Sequence, residues 1–95
     1  MEVRFLTPAR EDFLEAVQFY RSRSQGLAEE FCGEVERVSE TLADSLLLGS
    51  PFDHGTRRML LRRFPFGLIY QVQEDHLLVV AVAHHRRRPD YWRDR

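Results

Sequence analysis

The sequence predicts an α+β fold in two layers. An N-terminal strand should lead into an antiparallel helical hairpin, then a mostly antiparallel three-stranded meander and a short basic C-terminal segment. Three observations carry this. Apolar residues recur at helical spacing from about residue 9 to residue 47, and after residue 56 the period changes from 3.6 to 2. Only Ser24 to Gly26 separates the two helical stretches, so short a turn that the helices must pack antiparallel. Such a hairpin offers one apolar side, and one face of an antiparallel sheet is the natural cover for it.

Taken in order, "EVRFL" alternates Val3 and Phe5 with Glu2 and Arg4 and reads as a short strand. Thr7 suits a helix cap and Pro8 the first helical position, where a missing N–H costs nothing. Ala9, Phe13, Ala16, Val17 and Tyr20 then form one apolar stripe to about Arg23. A second helix is expected from about Leu27 to Leu47, with Leu27, Phe31, Val35, Val38, Leu42 and Leu46 on one face, stopped by Gly49 and Pro51. Residues 49–56, "GSPFDHGT", read as a loop. "RRMLLRRF" and "FGLIYQV" follow as strands, the latter with Leu68, Tyr70 and Val72 on one side. "QEDH" is a tight turn, and the unbroken apolar run "LLVVAVA" suits a central strand covered on both faces.

No repeat, linker or low-complexity stretch interrupts the 95 residues, so residues 1–95 are expected to form a single domain. Hydrophobic content of 43% is enough for a core and excludes a disordered chain. The lone Cys32 cannot form an internal disulfide, which points to a reducing compartment. No segment has the length and apolarity of a signal peptide core or a membrane span; the expectation is a soluble, cytoplasmic protein.

The net charge of −1 conceals a split. Residues 1–55 hold five Arg against eleven Asp and Glu, a balance of −6; residues 56–95 hold nine Arg against four acids, a balance of +5. A basic surface on one part of the domain suits an anionic partner, although two ordinary solvated faces would look the same. All fourteen basic residues other than His are Arg, so no lysine chemistry is available.

The most concentrated stretch is "AHHRRRPDYWRDR", residues 83–95. It follows the most buried strand directly, so His84 to Arg87 should be positioned rather than loose. The four histidines, 54, 76, 84 and 85, show no metal-ligand spacing, and neither a phosphate loop nor a nucleophile elbow is present. No metal or cofactor is implied. Arg62, Arg63, Arg86, Arg87 and Arg88 could converge from two strands. With His84 or His85 and Tyr91 they would make a set able to bind RNA phosphate and move protons at a ribose 2′-OH. They could equally be the solvated face of a sheet. Trp92 could seal the edge of the core, with Pro89 setting the turn, or contact a partner.

The stretch "FPFGLIYQVQEDHLLVVAVAHHRRRPDYWRDR", together with "PAREDFLEAVQFY" and "GLAEEFCGEVERV", resembles the RelE/ParE superfamily of bacterial toxins, the stable partners in type II toxin–antitoxin modules. The Phe-Pro-Phe-x-Leu-Ile-Tyr strand and the Ala-His-x-Arg-Arg-x-Pro-x-Tyr-Trp close carry the likeness. It implies that the first strand lies beside the last. It also implies a cognate antitoxin whose extended C-terminal part wraps the toxin. ParE-like members poison DNA gyrase by protein contact; RelE-like members cut mRNA on the ribosome without a metal. Ribonuclease members usually carry Arg directly before the Leu-Ile/Val-Tyr segment, where this chain has Gly67, and often lysines on the preceding strand, where it has none. Loss of such an Arg would cost on the order of 10²- to 10³-fold in rate. The resemblance therefore leans to the ParE-like branch, with gyrase as the target. The ribonuclease alternative would use Arg62, Arg63, His84, His85, Arg86 and Tyr91 as its catalytic set. Arg57, Arg58, Arg62, Arg63, Arg86, Arg87, Arg88, Tyr91 and Trp92 are the expected antitoxin- or target-binding residues.

Overall fold

The computed structural model describes residues 1–95. The elements are β1 (Glu2–Phe5), α1 (Thr7–Arg23), α2 (Gln25–Asp44), β2 (Ser50–Pro51), a 3-10 turn (Asp53–Gly55), β3 (Arg57–Leu60), β4 (Phe66–Val72) and β5 (His76–His84). All five strands form one sheet in the order β1-β5-β4-β3-β2. β1 runs parallel to β5 and every other pair is antiparallel. Strand, hairpin and meander thus stand as the periodicity predicts, and the first strand lies beside the last as the resemblance implies.

The hairpin covers one face of the sheet. Ala9, Ala16 and Val17 of α1 and Phe31, Val35 and Leu42 of α2 pack against Leu68, Tyr70, Leu77, Val79 and Val82. Aromatic rings join the layers: Phe31 lies 5.8 Å from Phe13, and 5.2 Å from each of Phe64 and Phe66.

The apolar run in β5 serves both faces through a bulge. Ile69 pairs with Ala81 but Tyr70 pairs with Val79, so Val80 is an extra residue. Leu77, Val79 and Val82 face the helices, while Val80 and Ala81 join Ile69 and Trp92 in a second, smaller core on the opposite face. The closing segment therefore supplies the second cover that the run requires.

Several boundaries differ from expectation. Leu6, not Thr7, holds the cap position of α1, with no side-chain cap, so Thr7 and Pro8 are the first two helical residues. The interhelical break is a single extended residue, Ser24. Its hydroxyl accepts from the Leu27 amide and starts α2 two residues early. α2 ends at Asp44 with Ser45 as its cap, so Leu46 lies beyond it, and Leu27 is exposed. Gly49 therefore does not stop the helix; it clears space for a buried tyrosine. A Cβ there would sit 2.6 Å from the Tyr70 hydroxyl oxygen, which accepts from the Gly49 amide and donates to the Leu46 carbonyl. Within the expected loop, Ser50–Pro51 add a fifth, edge strand. β3 stops at Leu60, so Arg62 and Arg63 belong to the turn before β4. No helix is long and apolar enough to cross a membrane.

Candidate functional site

The predicted functional residues divide among three places. The first is the groove between α2 and the turn after β3. Glu34, a buried acid on α2, points its carboxylate at that turn and accepts from the Arg62 and Arg63 amides. Partly buried amides in a turn need an acceptor, and this carboxylate is it. The side chains of Arg62 and Arg63 stay exposed and, with Arg37 and Leu60, border a groove of about 720 Å³. Arg63 pairs with Glu30 at 3.1 Å. Arg57 is structural by position: its guanidinium donates to the Gly49 carbonyl at 2.7 Å and to the Leu47 carbonyl at 3.2 Å.

The second place lies between α1 and the end of β5. Here His84, Arg86 and Arg87 face Asp12, Glu15 and Phe19 across a groove of about 420 Å³. His84 sits edge-on to Phe66 at 5.0 Å, and its Nδ1 accepts from the Arg86 amide at 3.0 Å. Burial first, then the charges of His85 and Arg86, hold its pKa below the usual histidine value. An accepting Nδ1 favours the same neutral ring. Tyr91 donates its hydroxyl to Asp12 at 3.0 Å. Burial, followed by the Asp12 charge and hydrogen bond, pushes its pKa well above that of a free tyrosine. At neutral pH that proton is therefore held rather than shared.

The third place is the outer face of the sheet, a cleft of about 150 Å³. Its floor includes Gly67, Ile69 and Ala83, and its walls carry Arg58, His85, Arg87 and Arg88. The Arg58 guanidinium lies 4.3 Å above the Phe52 ring and that of Arg87 lies 4.0 Å above the Tyr91 ring. Trp92 is 5% exposed, packed on Ile69, Val80 and Ala81. It seals the second core and leaves little surface for a partner.

Arginines from two segments do converge, but as Arg58 with Arg87 and Arg88. Arg62 and Arg63 line a different groove from His84 and Arg86, so the six residues of the ribonuclease set border no common cavity. The charge split rests on α2, with six acids and one Arg, and on residues 57–95, with nine Arg against four acids; α1 is balanced, with three of each. No group of three or more His, Cys, Asp or Glu side chains is placed to hold a metal ion.

Sequence reasoning missed Asp12, Glu34, Phe52 and Arg95. Asp12 and Glu34 sit among the charged residues of their helices, and nothing in the spacing marks them as turned inward. Arg95 looks like one more cation of a basic run.

A family model described as "ParE toxin of type II toxin-antitoxin system, parDE" matches residues 3–89. A solved structure described as the chromosomal ParDE TA system from P. aeruginosa superposes with a TM-score of 0.72 at 18% identity, over 88% of this chain and 95% of that one. That likeness shows the fold. Comparison with curated proteins finds no match.

Proposed function

Because the chain belongs to the ParE toxin family of type II toxin–antitoxin systems, we propose that it acts by binding and inhibiting DNA gyrase, without chemistry of its own. It is the toxin of such a module, and its first partner is an antitoxin. The observation that most supports a contact mechanism is the scatter of the would-be catalytic residues. Metal-independent RNA cleavage needs a proton acceptor, a proton donor and phosphate-binding cations within reach of one another. Here Arg62 and Arg63 lie in the α2 groove and Arg86 in the α1 groove, away from the outer cleft that His84, His85 and Tyr91 share, and the Tyr91 proton is bonded to Asp12. Gly67, at the place where ribonuclease members carry Arg, provides no cation.

The antitoxin's own seat follows from surface chemistry. The groove between the helices, lined by Phe13, Leu14, Cys32 and Val35, has about 520 Å³ of mostly apolar space. Leu14 and Leu60 are half exposed, and Arg37, Arg62 and Arg63 stand beside Leu60. A tail combining apolar anchors with acidic residues would cover both grooves. Gyrase as the target places the toxin's work in the cytoplasm.

Supercoiling and DNA-cleavage assays with toxin freed of its antitoxin test the proposal. Inhibited supercoiling with trapped cleaved DNA is the expected result. Unchanged gyrase overturns it. Primer extension after inducing the toxin alone separates the rival: cuts in codon register that vanish in Arg86→Ala would establish a ribonuclease.

A further inference from the structure

The outer cleft over Gly67 has a composition that gyrase contact alone does not require. Arg58, Arg87 and Arg88 reach it from two separate segments, and none of the three takes part in an ion pair or a side-chain hydrogen bond. Two of the guanidiniums lie over ring faces, Arg58 at 4.3 Å from the Phe52 centroid and Arg87 at 4.0 Å from that of Tyr91. Stacking fixes the plane of a guanidinium and leaves its N–H edge free to donate. Two acids border the cleft: Asp90, whose carboxylate lies 3.4 Å from the His54 imidazole, and Asp53, exposed at the start of its turn. Glycine at 67 keeps the floor open. A Cβ there would press within 3.2 Å of Leu60 and 3.3 Å of the Arg58 stem.

At about 150 Å³ the space is smaller than a pocket for a drug-sized molecule, and it suits one anionic group. We infer that this cleft binds a phosphodiester of duplex DNA, so that the toxin grips the DNA that gyrase holds as well as the enzyme. A phosphodiester offers one negative charge spread over two non-bridging oxygens, which several guanidinium edges can share. The rings decide between nucleic acids. Readers of single strands present open aromatic faces for stacking bases. Here Phe52 is covered by Arg58, Tyr91 is flanked by Arg87 at 4.0 Å and Arg95 at 4.8 Å, and Trp92 is buried. Only the His85 imidazole on the wall is left uncovered, and one small ring beside three guanidiniums favours backbone over stacked bases, as a duplex presents it. The inference rests on the gyrase reading solely for what delivers the DNA.

The test is fluorescence anisotropy of a short labelled DNA duplex with antitoxin-free toxin over a series of salt concentrations. Wild-type toxin should bind with an affinity that falls steeply with salt. Arg58→Gln and Arg88→Gln should each weaken binding and reduce the salt slope by about 1. Gly67→Val, which removes no charge, should weaken binding by filling the floor, with its melting temperature checked separately. Arg21→Gln, on the exposed end of α1, should leave the slope unchanged. Absence of duplex binding overturns the inference. So does a loss in Arg21→Gln equal to that in the cleft variants, or single-stranded RNA bound more tightly than duplex. Duplex binding is measured without gyrase. Intact binding with uninhibited gyrase would sink the gyrase reading alone, and the reverse result would sink this one alone.

Discussion

Asp12 and Arg95, 83 positions apart, form a two-pronged ion pair: guanidinium nitrogens lie 2.6 and 2.9 Å from the two carboxylate oxygens. The side chains are only 8% and 15% exposed. The same carboxylate accepts from the Val82 amide and the Tyr91 hydroxyl, and Arg95 also donates to the Val80 carbonyl. The reason lies in the sheet. β1 pairs with β5 only as far as Val79, and side chains then satisfy the edge that β1 no longer covers. One helix acid and one late arginine thereby tie the closing segment to both layers.

The pair should be asymmetric on mutation. Asp12→Ala strands four donor contacts, including a main-chain amide, and should cost about 3 to 5 kcal/mol of stability. Arg95→Ala leaves the carboxylate two of its donors and should cost about 2 kcal/mol. Urea unfolding of both variants checks the order. Equal costs would mean that only the ion pair matters.

Trp92 is the plug of the second core, with Phe52 tilted against it at 6.1 Å. Trp92→Ala should cost about 3 kcal/mol, the low end for a buried aromatic, because the closing segment can settle partly into the space. Near-native stability with lost toxicity would instead identify a target contact.

Glu34 is a buried acid whose charge is matched by main-chain amides. Glu34→Gln keeps one acceptor but turns an NH₂ group towards the turn, and should cost about 1 to 3 kcal/mol. Hydrogen exchange at the Arg62 and Arg63 amides should rise by more than at neighbouring positions. Unchanged protection there would show that the turn does not depend on this carboxylate.

These contacts also mark the limit of what the sequence discloses. The change of period near residue 56 and the one-sided stripes of Phe31, Val35 and Leu42 are one-dimensional signals, and they place the layers correctly. "LLVVAVA" likewise announces a strand covered twice. It does not announce that Val80 bulges, because a bulge changes the parity of a run that is apolar at every position. The candidate site was less legible. Arg62 and Arg58 look alike in the chain, yet a strand ending at Leu60 leaves one in a turn and the other over a ring on the outer face. Arginines do meet on the outer face, but which ones meet depends on register and strand length. Asp12 and Arg95 were invisible for a related reason: a salt bridge across 83 positions leaves no local pattern.

His84 gives the chain an acid-side sensitivity with a defined sign. Its pKa in the folded protein is lowered, chiefly by burial and further by His85 and Arg86. The unfolded chain, with an ordinary value near 6.5, therefore binds a proton more readily than the folded one. Its contribution to stability should be complete above about pH 6.5 and decline as the pH falls below that value. His84→Gln removes the titrating group while keeping a polar side chain. The difference in urea midpoint between variant and wild type should be constant above neutrality and shift in the variant's favour on acidification. A difference that stays flat from pH 8 to 5 would mean that His84 titrates as it does in water. The Phe66 ring edge-on to it at 5.0 Å and the Arg86 amide on its Nδ1 would then have no hold on its charge.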